Sequence, residues 1–138
     1  MNKIIIILLL SFCYGCVVPK IELTEQEKNL ESKLKNEFAC DDLEFRHDYH
    51  AIKENRKDAM FIVTLCDGFC NKDSLTIFKE TIRLTKMIKP ILSHRANYEN
   101  VIFYTSLEKK KDETWSSLIC NKTIKVSLRD LKVIEFSK

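Results

Sequence analysis

The spacing of apolar residues predicts two amphipathic helices in this chain. A capping box from Thr24 to Glu27 begins the first helix. The apolar residues of this helix recur at four-residue spacing: Leu30, Leu34 and Phe38. A longer helix is predicted over residues 74–94, where apolar residues occupy one side. Its regular part ends near Lys89, because Pro90 removes a backbone donor and clashes with the preceding turn.

Alternation of apolar and polar residues, which is typical of half-buried strands, predicts most of the remaining elements. The first strand is predicted over residues 43–50, and the second, nearly continuous in apolar residues, over residues 59–66. The other strands are predicted at residues 101–107, 114–120 and 123–128. A tight hairpin at Asn121-Lys122 joins the last two, and residues 131–136 either add a final strand or pack as a short tail.

The predicted order of elements is α-β-β-α-β-β-β, which indicates an α+β fold. We expect a two-layer sandwich in which two helices cover one face of an antiparallel sheet of about four to five strands. Residues 24–138 are predicted to form this single domain, because a second compact core needs roughly another hundred residues. Residues 16–23 are predicted to be a short tether before the domain.

Composition excludes some partners. Apolar residues make up 45% and charged residues 31% of the 138 residues, which is the balance of a chain that folds. The formal charge of +3 arises from 23 basic and 20 acidic residues that are interleaved along the chain. A nucleic-acid-binding module usually has a strongly basic face, so we expect no nucleic-acid partner.

The first residues have the pattern of a signal peptide. Lys3 gives a short positive start, and an unbroken aliphatic run follows from Ile4 to Leu10. The continuously apolar stretch ends at Val18, short of the ~20 residues that a membrane-spanning helix prefers. Residues 1–15 are therefore predicted to be a cleaved signal peptide.

The end of this run, Cys13-Tyr14-Gly15-Cys16, resembles the lipobox of bacterial lipoproteins, in which a small residue precedes the lipid-bearing cysteine. Gly15 and Cys16 match that pattern, whereas Cys13 stands where the family usually has leucine. The resemblance implies that Cys16 is the lipid attachment residue and carries diacylglycerol and a fatty acid such as palmitate. It also implies a lipid-anchored location in the bacterial cell envelope, with the domain outside the cytoplasm. Ordinary signal cleavage, which gives a soluble secreted protein, is the alternative.

The number of cysteines agrees with an oxidising compartment. After removal of residues 1–15 and acylation of Cys16, an even set of disulfide candidates remains: Cys40, Cys66, Cys70 and Cys120. Antiparallel pairing of the first two strands brings Cys40 to either Cys66 or Cys70. That bridge would close a loop of about 26 to 30 residues and stabilise the fold by about 3 kcal/mol. This topology supplies no obvious partner for Cys120.

Cys66 and Cys70 also define an alternative function, that of a periplasmic thiol-redox or metal-binding protein. Gly68 between them and the strand before them favour a loop. Redox dithiols normally use the shorter C-x-x-C spacing, and zinc sites usually supply two cysteine pairs or a nearby histidine. Structural disulfides are therefore favoured, and the residues indicate no catalytic residue, metal site or cofactor.

Three histidines and a charged turn complete the candidate groups. Alternation places His47 on the apolar face of its strand and His50 on the opposite face, so the two imidazoles are not expected to share a ligand. His94 would lie at the end of the second helix, where a cation is favourable. The lysines of residues 109–111 either contact an anionic membrane or are solvated, and Trp115 either lies at an interaction edge or fills the core.

These patterns favour a small, non-enzymatic, membrane-anchored envelope lipoprotein. Its domain is expected to act in protein interaction or as an accessory in assembly. The expected partners are the membrane, through the lipid anchor, and a protein that the sequence does not identify.

Overall fold

The first helix begins where the capping box predicts. In the computed structural model, which describes residues 19–110 and 116–138, helix α1 spans Glu25–Phe38. The Thr24 backbone N–H donates to Glu27 Oε2 at 2.8 Å, and the Glu27 N–H donates to Thr24 Oγ1 at 3.3 Å. The helix ends at Phe38, and Ala39 caps it in a left-handed conformation with φ of 50°. Residues 1–18 and 111–115 lie outside the described residues, and with them the predicted signal peptide, Cys16 and Trp115.

The described residues form three α-helices and five strands. The remaining elements are β1 (Glu44–Arg46), α2 (Tyr49–Lys53), β2 (Ala59–Thr64), α3 (Ser74–Ile88), β3 (Tyr98–Lys110), β4 (Ser116–Ser127) and β5 (Val133–Ser137). Short 3-10 turns cover Asp67–Asn71 and Arg95–Asn97. The α+β class, with a sheet that packs against helices, is confirmed.

The sheet is mixed, so the prediction of an antiparallel sheet is wrong in one place. The strands lie in the order β1-β2-β3-β4-β5, and every neighbouring pair is antiparallel except β2 and β3. Helix α3 connects these two strands and returns the chain to the end of the sheet at which β2 begins. A helical crossover of this kind joins parallel strands.

The predicted first strand is much shorter than its alternation indicates. β1 ends at Arg46, and Tyr49 and His50 belong to helix α2, which the sequence did not predict. The Asp48 side chain accepts a hydrogen bond from the Ala51 N–H at 3.1 Å and caps this helix. A local side-chain cap therefore prevails over the period-two pattern.

The predicted hairpin at Asn121-Lys122 is wrong, because β4 passes through these residues as one strand. Asn121 pairs with Ser106 and Lys122 pairs with Thr105 of β3. Residues 131–136 do contribute a last strand, β5, whose Phe136 ring packs edge-on against Phe78 of α3 at 5.1 Å.

The core lies between the sheet and the helices. Alternate strand residues such as Phe61, Phe103 and Ile124 form one buried cluster with Leu34 of α1 and Leu84 of α3. Burial of these side chains is the largest favourable contribution to folding. The face of the sheet that packs against the helices is therefore buried.

Residues 19–23 lead into the domain beside β1. Lys20 Nζ lies 4.0 Å from Glu44 Oε1, and Leu23 packs against the buried cluster. The predicted tether of residues 16–23 therefore ends in contact with the domain, because Leu23 covers apolar surface.

Candidate functional site

Four polar side chains from separate parts of the chain meet in the interior, and we call them the His47 cluster. Glu27 belongs to α1, His47 follows β1, Ser93 lies in the turn after α3, and Tyr98 begins β3. The residues Glu27, His47 and Tyr98 are exposed by 0%, 3% and 3% respectively. The cluster thus joins the first helix to the start of the sheet.

Glu27 supplies both carboxylate oxygens to this cluster. Oε1 accepts the Ser93 backbone N–H at 2.8 Å and the Ser93 hydroxyl at 2.9 Å, while Oε2 accepts the Thr24 N–H. Burial by itself raises the pKa of Glu27, but the hydrogen bonds from Thr24 and Ser93, together with His47, lower the pKa below its usual value. The carboxylate is therefore held in its charged form.

Both ring nitrogens of His47 have partners. Nε2 lies 3.2 Å from Glu27 Oε2 and Nδ1 lies 2.6 Å from the Tyr98 hydroxyl. Because an ionised carboxylate can only accept, we assign the proton of the neutral ring to Nε2 and let Nδ1 accept from Tyr98. Burial lowers the pKa of His47, although Glu27 opposes this effect, and burial raises the pKa of Tyr98.

The cluster has the residue types of a catalytic triad but a different arrangement. In a Ser-His-acid triad the acid binds Nδ1 and the serine faces Nε2. Here Glu27 and the Ser93 hydroxyl, at 3.3 Å, both lie on the Nε2 side of His47, and the Ser93 hydroxyl donates to Glu27. The arrangement therefore orients side chains and fastens elements together, and it does not activate the serine.

The other two histidines, His94 and His50, lie in different environments. His94 begins the 3-10 turn after α3, with φ of 53°, and its ring meets the His47 ring edge-on at 5.7 Å. His50 is exposed on α2. His50 lies on helix α2 and not on the strand that was predicted to carry both histidines. The contact between His47 and His94 was not predicted.

Two disulfide bonds join the four cysteines of the described residues. Cys40 pairs with Cys66, with 6.1 Å between their Cα atoms, and Cys70 pairs with Cys120, with 6.0 Å. The hairpin argument allowed either Cys66 or Cys70 as the partner of Cys40, and the structure decides for Cys66. Cys66 and Cys70 therefore belong to different bridges and do not form a dithiol pair.

The partner of Cys120 follows from the length of β4. Because β4 runs without a hairpin, Cys120 pairs with Leu107 on β3 and lies above the 3-10 turn that carries Cys70. Lys122 Nζ donates to the Cys70 carbonyl at 2.7 Å and to the Lys72 carbonyl at 2.8 Å. The incorrect hairpin prediction concealed this bridge.

The burial of Glu27 is the main feature of the site that the sequence reasoning missed. The sequence contained a signal, because Glu27 precedes Leu34 by seven residues and so lies on the same helical stripe. A glutamate on an apolar stripe needs buried partners, which the distant residues Ser93 and His47 provide.

Three further observations concern the described residues. No three histidine, cysteine or acidic side chains among them converge in a way that could hold a metal ion. Within residues 19–110 and 116–138, no helix has the length and apolar character needed to cross a membrane. Lys109 and Lys110 are exposed at the end of β3.

Comparisons with protein-family models, curated proteins and solved structures give no match for this chain.

Proposed function

We propose that this protein is an envelope lipoprotein, anchored through Cys16, whose domain acts by binding another protein rather than by catalysis. The observation that carries the proposal is the pairing of cysteines. Cys40, Cys66, Cys70 and Cys120 are all used in disulfides, and the two remaining cysteines lie in the lipobox-like segment. Disulfides of this kind persist in oxidising compartments.

The non-enzymatic part of the proposal rests on the state of the polar groups. Glu27, His47 and Tyr98 are the groups most suited to proton transfer, and they are buried and bonded to one another. A general acid or base must come within about 3 Å of its substrate, whereas these groups form their hydrogen bonds inside the fold.

Metabolic labelling of the full chain in a bacterial host tests the anchor. Cells that express the wild-type chain, Cys16→Ser or Cys13→Leu would receive a fatty acid with a clickable tag. We expect the wild type and Cys13→Leu, which has the residue usual at this lipobox position, to incorporate the label and to sediment with membranes. Cys16→Ser is expected to lose the label, and Cys13→Leu, which removes the neighbouring thiol, is its matched control.

The intact mass of the extracted protein is a second test of the anchor. A lipoprotein would begin at Cys16, carry the mass of diacylglycerol and retain two disulfides. A chain cleaved elsewhere, or one that retains the label after Cys16→Ser, would refute the anchor. The presence of Cys16 unmodified at the amino terminus would indicate the soluble secreted form.

The alternative, a thiol-redox or metal-binding function of Cys66 and Cys70, needs free thiols. Alkylation of the native, unreduced protein followed by mass spectrometry distinguishes this alternative from structural disulfides. We expect no alkylated cysteine among the four of the domain, because each is bonded. Rapid alkylation of Cys66 or Cys70 would favour the redox function.

A further inference from the structure

Strands β3 and β4 continue as a two-stranded ribbon beyond the rest of the sheet. β2 ends at Thr64, which pairs with Tyr104, and β5 ends at Ser137, which pairs with Thr123. From Thr105 onward, β3 and β4 pair only with each other among the described residues. We call the outer side of residues 116–121 the β4 edge, and no strand of the described chain covers it.

The ribbon is held firmly at its base. The disulfide between Cys70 and Cys120 and the two hydrogen bonds donated by Lys122 fix β4 to the 3-10 turn. Thr105 Oγ1 donates to the Cys66 carbonyl at 2.8 Å and fixes β3 to the same region. A strand edge that is already ordered loses little conformational entropy when it binds.

The charges that normally protect strand edges are missing from the β4 edge. Residues 116–121 read SSLICN and contain no charged residue and no proline, in a chain with 31% charged residues. The paired strand of the ribbon, in contrast, carries Glu108, Lys109 and Lys110. Natural edge strands usually carry charges or proline that prevent pairing with another chain.

The β4 edge also exposes apolar side chains. Leu118 and Ile119 are each 58% exposed. The pairing shifts between Leu107 and Glu108, which pair with Cys120 and Leu118, and leaves Ile119 without a partner on β3. Ile119 is therefore a β-bulge on β4.

We propose that the β4 edge pairs with the β4 edge of a second copy of this chain, antiparallel and about a two-fold axis. Charge matching favours this occupant, because each copy offers the other an uncharged, apolar strand and no like charges meet. Lys109 and Lys110 stay on the far strand of each ribbon. A two-fold contact closes on itself, so both edges are covered and no filament results.

The contact is small, since about six residues a side is fewer than the roughly 20 to 30 of a standard interface. The pair is therefore reversible and depends on concentration. It does not depend on the lipid anchor, so failure of the Cys16→Ser test and failure of self-pairing are separate results.

Photo-crosslinking of the full chain in cells tests the occupant. Two copies with different epitope tags would be expressed together, with Leu118 replaced by p-benzoylphenylalanine in both. We expect a product of twice the monomer mass that carries both tags. The matched control places the same group at Ile134, which is 54% exposed on β5 and is expected to give no dimer.

The other products of this experiment overturn the proposal. A product with one tag and the mass of another protein shows a different protein partner, and a lipid adduct shows that the edge contacts the membrane. Recovery of the monomer alone, at expression levels where both tagged copies are abundant, refutes self-pairing.

Exchange of charge at Leu118 gives an independent test. The self-association of each variant in detergent extracts would be measured by sedimentation velocity over a range of concentrations. Leu118→Lys and Leu118→Glu are each expected to weaken the pair at least about tenfold, because like charges lie close across the two-fold axis. Ile134→Lys is expected to leave the pair unchanged, and intact mass verifies that each variant retains both disulfides. Mixing Leu118→Lys with Leu118→Glu is expected to restore association, and absence of restoration in folded variants overturns the proposal.

Discussion

The two ends of the sheet are fastened by different chemistry. At the end where β2 and β3 begin, the His47 cluster joins α1, β1 and β3 through hydrogen bonds among Glu27, His47, Ser93 and Tyr98. At the opposite end, two disulfides join the chain before β1, the end of β2, the 3-10 turn and β4. We therefore expect one end to respond to protonation and the other to reduction.

This difference shows how a small domain can be stabilised in two independent ways. A covalent bridge acts mainly by limiting the unfolded chain, and its contribution changes little with pH. A buried polar cluster contributes only while every donor and acceptor is satisfied, because an unsatisfied buried group costs free energy. The two ends should accordingly respond to different perturbations.

The largest effect is expected from the disulfide end. The double variant Cys70→Ser with Cys120→Ser should lower the free energy of unfolding by about 4 kcal/mol, because the bridge closes a separation of 50 residues. Urea denaturation measures this change. Hydrogen exchange should accelerate in β3 beyond Tyr104, since the ribbon loses its attachment.

The other bridge is the control for this variant. Cys40→Ser with Cys66→Ser should lower the free energy of unfolding by about 3.5 kcal/mol, for a separation of 26 residues, and leave exchange in the ribbon slow. Equal exchange rates in the two variants would contradict a specific role for the Cys70 bridge at the ribbon.

A smaller effect is expected from the polar end. Glu27→Gln should lower the free energy of unfolding by roughly 2–3 kcal/mol. Both carboxylate oxygens accept backbone N–H groups, from Thr24 and Ser93, so an amide must place its own donor against one of them. The exposed Glu25, in the same turn, is the matched control, and Glu25→Gln should change stability by less than about 0.5 kcal/mol. Similar losses in both variants would show that the buried contacts contribute nothing specific.

The smallest effect is expected from pH. Burial lowers the pKa of His47 below the ordinary histidine value of 6.5, so the unfolded chain binds more protons than the folded one as the pH falls through this range. The contribution of His47 is thus present above pH 6.5 and is lost on acidification. Because the pKa of Glu27 is also lowered, from 4.5, its contribution is lost at still lower pH.

Unfolding free energies measured between pH 5 and 8 test this dependence. His47→Gln should remove the part of the slope near pH 6.5, which for one proton is at most about 1.4 kcal/mol per pH unit. His50→Gln, at an exposed position, should retain the wild-type slope. If His47→Gln retained the slope, another titrating group would be responsible for it. Neither variant should change the loss of stability that follows reduction of the two disulfides.

Much of the fold could be predicted because its signals are local. The capping box and the leucine stripe determine α1, and Asp73 and Pro90 bound the regular part of α3, which ends at Ile88. The direction of β3 beside β2 could not be read from these signals. It depends on the route of α3 across the sheet, which involves contacts distant in sequence.

The candidate site was harder to predict than the fold. The cysteine count indicated disulfides, and hairpin geometry restricted the partner of Cys40 to two residues. Identification of Cys70 as the partner of Cys120 required the correct length of β4. The wrong prediction of a hairpin at Asn121-Lys122 therefore hid this pairing. The buried state of Glu27 likewise depends on His47 and Ser93, which are 20 and 66 residues away.

The sequence by itself determined where helices begin, which residues face the core and that the cysteines form an even set, because caps, periodicity and composition act over a few residues. Only the tertiary structure decided which cysteines pair, which carboxylate is buried and which strand edge stays uncovered. These outcomes depend on the meeting of distant segments, and side-chain burial and edge pairing exist only after the chain has folded.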